Sequence, residues 1–388
     1  MRGKRILMIP GPIEFTDEVL AEMGKATLSH VDQRFIEEFG QALEKMRKVW
    51  LAPGAQPFIV AGSGTLAMEL AAANLVEPGD KVLVVNAGYF SDRMAEVLKV
   101  HGAEVDVAPS ALGDVPGIDA VKTMLKAKKY KLMCITHVDT STGIRSQVKE
   151  LAAAARSEGV LSVVDGVCAV AGEELRQDDW SVDVALTASQ KAVGVPPGLA
   201  LLVAGPRALG AFAARKSPVR SYYCDWGKWL PVMEAYEARK PAYFGTPAVN
   251  LVRSLNVSLG QILEEGMDAR FKRHELGARA MRAGLKAMGL GFVPAREELC
   301  ASTLTAPWYP EGVDGSVLGR IAAEGVVLAG GLHPEIKAKY FRIGHMGASG
   351  AAEILATLGA IERGFAASGC RFEPGSAVAA AQAVFVKG

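Results

Sequence analysis

Residues 182–191 read Val182-Asp183-Val184-Ala185-Leu186-Thr187-Ala188-Ser189-Gln190-Lys191. A strand-like run (182–186) leads into Thr187 to Lys191, and the turn signals Gly194, Pro196, Pro197 and Gly198 follow. Upstream, a second apolar run (161–164) delivers Asp165 to its own C-terminal end. A carboxylate at one strand end and a lysine at the next suit pyridoxal phosphate (PLP). The lysine forms a Schiff base with the cofactor aldehyde, and the carboxylate pairs with the protonated pyridine nitrogen. Taken alone, the same residues read as a solvated lysine and an N-cap aspartate, so the rest of the chain has to decide.

Outward from this stretch, strand-like runs recur at 82–85, 104–107, 132–136 and 199–203, with helical patterns at 92–101, 118–128 and 147–158. Alternating β and α elements imply a mostly parallel sheet covered on both faces. Ligands of such sheets collect beyond the carboxyl ends of the strands, where residues 86–93, 137–142, Asp165 and Gln190-Lys191 fall. Another strand, 58–60, runs into Ala61-Gly62-Ser63-Gly64-Thr65 and a helix over 66–75. Glycines ahead of a helix N-terminus free N–H groups for an anion, and the helix dipole adds attraction. The same residues fit the dinucleotide pattern GxGxxA (Gly62 to Ala67). That pattern wants an acidic residue at the end of the next strand; here it is Asn86, and roughly sixty residues precede the glycines, which weakens a dehydrogenase reading.

Ahead of that turn, residues 6–9 and Pro10-Gly11-Pro12 read as a short extended arm, and 17–24 and 35–50 as helices. His30, between them, is read as structural. Past 203, the aromatic-rich segment 221–240 and Lys240 to Pro247 read as a packing loop, and 248–288 as one long helical stretch into a second domain. That domain shows strands near Phe292, 301–305 and 326–329, helices near 317–324 and 351–366, and a helical tail after Pro374. Phe341-Arg342-Ile343-Gly344 reads as a strand carrying an arginine, either an edge residue or a bidentate carboxylate clamp.

The 388 residues suffice for two cores; half are apolar and 22% charged, as in soluble globular proteins. A net charge of +1 gives no case for nucleic acid or an anionic membrane. Five scattered cysteines without a CxxC or Cys/His cluster indicate neither a metal site nor a disulfide framework. The start (Met1-Arg2-Gly3-Lys4-Arg5 and a short apolar run) is not a secretory leader, no stretch suits a membrane span, and the final Val386-Lys387-Gly388 is not a peroxisomal signal. The expected location is cytoplasmic.

On these residues the chain resembles the class V, fold-type I PLP aminotransferases, specifically the alanine–glyoxylate (serine–pyruvate) group, and looks closest to its fungal alanine–glyoxylate form. The resemblance is densest at Pro10-Gly11-Pro12, 56–66, 136–143, 164–168, 185–192, 229–247 and 325–347. It implies an α/β fold of PLP fold type I: an arm (1–16), a large domain (17–265) with a mostly parallel, seven-stranded sheet sandwiched by helices, and a smaller C-terminal α+β domain (266–388). Lys191 matches the Schiff-base lysine and Asp165 the partner of the pyridine nitrogen. Ser63, Gly64 and Thr65 match the phosphate turn and Gln190 a side-chain phosphate donor. Phe90 stands where an aromatic ring, often tryptophan, stacks on the cofactor, and Thr140 where serine is common. Tyr243 and Thr246 match residues that reach the phosphate of the other subunit, which implies a homodimer with shared sites. Arg342 matches the residue that binds the substrate carboxylate.

The implied reaction is ping-pong transamination of a small amino acid, L-alanine preferred, with glyoxylate, giving pyruvate and glycine. Serine–glyoxylate or serine–pyruvate transamination is the alternative, and ureidoglycine is a further donor in the group. A lyase or cysteine desulfurase would share the cofactor core; no evident loop cysteine serves the latter, with Cys370 the one left open. The dehydrogenase stays the remote alternative.

Overall fold

The computed structural model describes residues 5–388. The basic start falls on residues 1–4, outside the described residues, apart from Arg5. The chain enters as β1 (Ile6–Leu7), α1 (Asp17–Met23) and α2 (Gln33–Val49). An alternating unit follows: β2 (Gln56–Ala61), α3 (Gly64–Leu75), β3 (Lys81–Val85), α4 (Tyr89–Val100), β4 (Glu104–Ala108), α5 (Ile118–Ala127) and β5 (Leu132–Thr136). A small hairpin, β6 (Val138–Asp139) and β7 (Ile144–Arg145), precedes α6 (Val148–Ser157), β8 (Leu161–Asp165), β9 (Val184–Ala188) and β10 (Leu199–Ala204).

Hydrogen bonds order one sheet β2-β10-β9-β8-β5-β3-β4. β10 is antiparallel to both neighbours and the remaining pairs are parallel, so six strands point one way and their carboxyl ends share an edge. β5, β8, β9 and β10 are buried at every residue, which requires cover on both faces. α3 packs on β9 and β10, α4 on β3 to β5, and α6 on β5 and β8. The mostly parallel, seven-stranded α/β architecture expected from the sequence is what forms.

After β10 come α7 (Pro206–Ala213), α8 (Trp226–Glu237), α9 (Val249–Glu265), α10 (Met267–Ala287), β11 (Leu304–Thr305), α11 (Val317–Ala323), β12 (Val326–Val327), β13 (Ala329–Gly330), β14 (Phe341–Gly344), α12 (Ala351–Ala366) and α13 (Ser376–Lys387). β14 is the middle of a small antiparallel sheet, β11-β14-β13. Leu285, Ile321, Phe341, Ile354, Leu358 and Phe365 build a second apolar cluster there, apart from the one around the large sheet. Among the described residues no helix is long and apolar enough to cross a membrane.

Several elements differ from the sequence expectations. The arm is a strand: Ile6 and Leu7 pair in parallel with Val326 and Val327, and Met8 O accepts Gly344 N–H at 2.8 Å. The strand at 182–186 sits two residues later, because Ser181 takes a positive φ of 59° and Val182 N–H turns back to Gln177 O. The run at 301–305 pairs only at 304–305; Ala301 N–H goes to Gly143 O and Ser302 N–H to the Glu173 carboxylate instead. Residues 326–329 divide between partners, β12 on β1 and β13 on β14, and Phe292 makes only an isolated bridge with Pro307. The expected long helix breaks at Gly266, which ends α9 and begins α10.

The aromatic segment read as a loop is largely helix α8. Asp225 caps it, accepting Gly227 N–H at 2.8 Å, and Trp226, Trp229, Met233 and Tyr236 recur at helical spacing on the buried side. Pro231 deletes one intrahelical bond. Burial outweighs it. Asn74, fully buried in α3, fixes the entry: its Oδ1 accepts Trp226 N–H at 2.8 Å and its Nδ2 donates to Cys224 O at 2.6 Å. Asn74→Ala strands both backbone groups, so a destabilisation of about 2–4 kcal/mol is expected in urea unfolding.

Candidate active site

The carboxyl edge of the sheet collects the polar residues. β8 ends in Asp165, and its neighbour β9 ends in Ala188, three residues before Lys191. Both side chains are buried, Asp165 at 5% and Lys191 at 8% exposure. The Lys191 ammonium donates to Pro10 O of the N-terminal arm. Gly11 follows with a φ of +123°, and a Cβ there would lie 2.7 Å from Lys191 Cδ, so the arm passes the lysine only as glycine. Burial lowers the Lys191 pKa, and Arg342 repels the charge further, while Cys168 and Asp165 oppose the shift. Burial also raises Asp165 from 3.8 to about 7; Asp139 adds repulsion, against Val167 N–H (2.9 Å to Oδ1), Lys191 and Arg93. Desolvation pushes both groups toward their neutral forms.

β2 supplies the second wall. After Ala61 the chain turns at Gly62 and Ser63 into α3, whose first turn holds Gly64 and Thr65. Ser63 and Thr65 are exposed, and Ser63 makes no capping bond from its side chain, so these hydroxyls and the first N–H groups of the helix stay open to an anion. Gln190 Oε1 is buried without a partner. Phe90, in the first turn of α4, is half-buried; the Arg93 guanidinium lies 4.8 Å from its ring centroid and reaches Thr65 Oγ1 at 3.4 Å. An anion-ready helix end, a dry carboxyl and a dry amine fit the phosphate, ring nitrogen and aldehyde of PLP.

β14 brings in the third part. Arg342 donates to Gly330 O at 2.8 Å and to Thr140 O at 3.3 Å, and it faces Cys168, Tyr340 and Asp139. Thr140 is buried in the β6–β7 turn, with its hydroxyl against Cys168. Lys191, Asp165, Gln190, Phe90, Thr140, Arg342 and the 63–65 turn thus gather at one edge. Tyr243 and Thr246 do not join them. Both are exposed, they pair with each other at 3.5 Å, Tyr243 packs on His30, and neither bonds to Lys191, Asp165 or Arg342. Three residues that lie in stretches marked from the sequence, but were given no role of their own there, take part: the Pro10 carbonyl, Arg93 and Asp139. A cation one helical turn after Phe90 was a usable signal for Arg93; nothing local marks the others.

Only now do other proteins bear on this geometry. The aminotransferase class-V family matches residues 14–332. Alanine–glyoxylate aminotransferase 1 of Saccharomyces cerevisiae is 38% identical over 88% of this chain and 91% of its own. L-aspartate–glyoxylate aminotransferase of Paracoccus denitrificans is 33% identical over 98% of this chain and 96% of its own. The crystal structure of ureidoglycine–glyoxylate aminotransferase from Bacillus subtilis superposes with a TM-score of 0.92 at 29% identity, over 98% of both chains.

An acid whose pKa is higher folded than unfolded favours the folded state at low pH and loses that advantage as pH rises. Through Asp165 the cofactor-free protein is expected to lose stability between about pH 4 and 7. Asp165→Asn has no charge to desolvate, so its melting temperature should lie above the wild type's by a margin that grows from about pH 5 to about pH 8. Melting curves of both cofactor-free proteins check this; a constant offset would contradict it.

Proposed function

Because the chain belongs to the class-V aminotransferase family, whose members depend on pyridoxal phosphate, we propose that it moves the amino group of a small amino acid, L-alanine first, to glyoxylate, yielding pyruvate and glycine in the cytoplasm. The observation that carries the donor is the charge around Arg342. Its charged neighbours are Lys191 and the Asp139 carboxylate. A donor with one carboxylate is satisfied by Arg342; a second, side-chain carboxylate would add a negative charge to a site that already feels the buried Asp139 charge through Arg342. Alanine therefore fits better than aspartate, although an aspartate enzyme is among the relatives.

Bound PLP supplies the electron sink that makes an amino acid α-proton acidic. The protein does the rest. Arg342 holds the carboxylate of donor and acceptor in turn, as one pocket serving two half-reactions requires. Lys191 Nζ, less basic than a free lysine because it is buried, takes the proton from the substrate α-carbon and later returns one. Asp165 stays ionised opposite a cationic ring nitrogen, which offsets its desolvation. Gln190, Ser63, Gly64 and Thr65 hold the phosphate, and Phe90 and Thr140 bound the ring.

The working unit in this proposal is a homodimer. Tyr243 and Thr246 are exposed and outside the cluster in their own chain, and the phosphate turn of a second copy gives them a partner. The unit divides into an arm (1–16), a large domain (17–265) and a small domain (266–388), a division supported by the two apolar clusters and the break at Gly266.

The test is the visible spectrum of the PLP-loaded protein with L-alanine, then glyoxylate. Alanine should bleach the band and glyoxylate restore it, with kcat/KM for alanine above that for serine, aspartate or ureidoglycine. A preference for aspartate would overturn the donor assignment. Arg342→Ala should raise KM for alanine and glyoxylate alike, roughly 100-fold for the lost charge-assisted pair, and Lys191→Ala should abolish turnover.

A further inference from the structure

Asp139 ends β6 fully buried, and no binding or proton-transfer role above falls to it. Its carboxylate is filled by donors. Oδ2 accepts Phe90 N–H at 2.9 Å and Ser91 N–H at 3.3 Å; Oδ1 accepts Ser141 N–H at 2.9 Å and the Ser141 hydroxyl at 2.6 Å. Ser141 Oγ in turn accepts Tyr89 N–H at 3.1 Å. Three of the orphan N–H groups that open α4 are thus satisfied across 48 or more residues of sequence. Gly88, at the N-cap position, has no side chain with which to do it. A Cβ on Gly88, whose φ is +150°, would lie 2.8 Å from both Asp139 Cγ and Ser141 Oγ, so the carboxylate is packed directly on the backbone that starts the helix.

The other side of the same turn faces the small sheet. Thr140 O accepts from Arg342, and Ser141 O accepts from the Tyr340 hydroxyl. That hydroxyl also accepts Leu332 N–H at 2.8 Å and His333 N–H at 2.9 Å, which uses its whole capacity. Tyr340 precedes β14 and Gly330 ends β13, so residues 140 and 141 anchor both strands that frame Arg342. The Phe90 ring and the Arg342 guanidinium, from elements about 250 residues apart in sequence, are referred to one turn. Asp139 holds that turn to α4.

We propose that Asp139 is a positioning residue that sets the Phe90 ring and the Arg342 guanidinium at a fixed relative geometry, acting through the first turn of α4 on one side and the 140–141 backbone on the other. Its consequence for catalysis rests on the reading of Phe90 as the cofactor's stacking face and Arg342 as the carboxylate clamp. The contact with Gly88 leaves no space for a longer side chain, and an uncharged amide cannot replace the carboxylate. Asn offers one accepting oxygen and an NH2 group, and whichever way it turns, the NH2 faces at least one backbone N–H from which it cannot accept.

The experiment compares PLP-loaded wild type with Asp139→Asn, and with Ser141→Ala as the milder variant that keeps the carboxylate. In Asp139→Asn, PLP dissociation should strengthen about tenfold, KM for alanine and glyoxylate should rise together about tenfold, and the visible circular dichroism of bound PLP should change, with far-ultraviolet dichroism intact. Ser141→Ala should move the same quantities in the same direction, about threefold. A folded Asp139→Asn with wild-type PLP affinity, visible dichroism and KM overturns the proposal, as does a variant that lowers only the melting temperature. Where Asp139→Asn does not fold, Ser141→Ala decides by the same readouts. Amide exchange in the cofactor-free proteins separates this from failure of the cofactor reading: exchange at 89–91 and 332–333 should rise in the variants whether or not PLP binds, and unchanged rates overturn the proposal.

Discussion

A carboxylate and an amine are kept out of water at the ends of two adjacent strands, and most of the large sheet serves to keep them there. β8 and β9 are buried along their whole length, so Asp165 and the segment leading to Lys191 emerge from apolar surroundings with no freedom to reach solvent. Burial opposes both charges, holding Asp165 near neutrality in its titration and lowering Lys191. The amine is satisfied by a backbone carbonyl, Pro10 O, and not by Asp165. The two therefore do not quench one another. Both stay available to a ligand, and the desolvation that raises Asp165 in the empty pocket would be offset by a ligand that sets a positive charge beside it.

What could be read from the sequence follows the range of the interactions that define each part. The strands, the Ser63–Thr65 turn, Asp165, Lys191 and the arginine of β14 declare themselves locally, because the apolar period, the glycines and the charged residue lie in one short window. α8 did not, since its aromatic residues look like loop packing until the amide of Asn74, 152 residues upstream, accepts Trp226 N–H. The two-residue displacement of β9 comes from the left-handed turn at Ser181, which no hydropathy pattern reveals. Asp139 fell within the polar stretch 137–142 but had no legible role of its own: its partners are mostly backbone N–H groups, which every residue but proline carries, so no side-chain motif points to it.

The two halves of the site are held by different kinds of contact. The half with Asp165, Lys191 and the 63–65 turn is built on sheet geometry, with strand ends and helix N-termini fixed by burial. The half around Arg342 depends on single polar atoms, the carbonyls of Gly330 and Thr140 for Arg342 and one hydroxyl, Tyr340, for the loop at 332–333. Local opening is easier where fewer apolar contacts must be broken, so opening is expected in the second half before the first.

The pairing of β1 with β12, and of Met8 O with Gly344, also fixes when the lysine pocket can exist during synthesis. Residues 6–11 leave the ribosome about 320 residues before their partners, so the segment that brings Pro10 O to Lys191 has no docking surface until Val326, Val327 and Gly344 have followed. A nascent chain carrying the whole large sheet still lacks the strand that seats residues 6 and 7. The finished lysine pocket is therefore a post-translational event, and residues 6–11 are among the last to find their place.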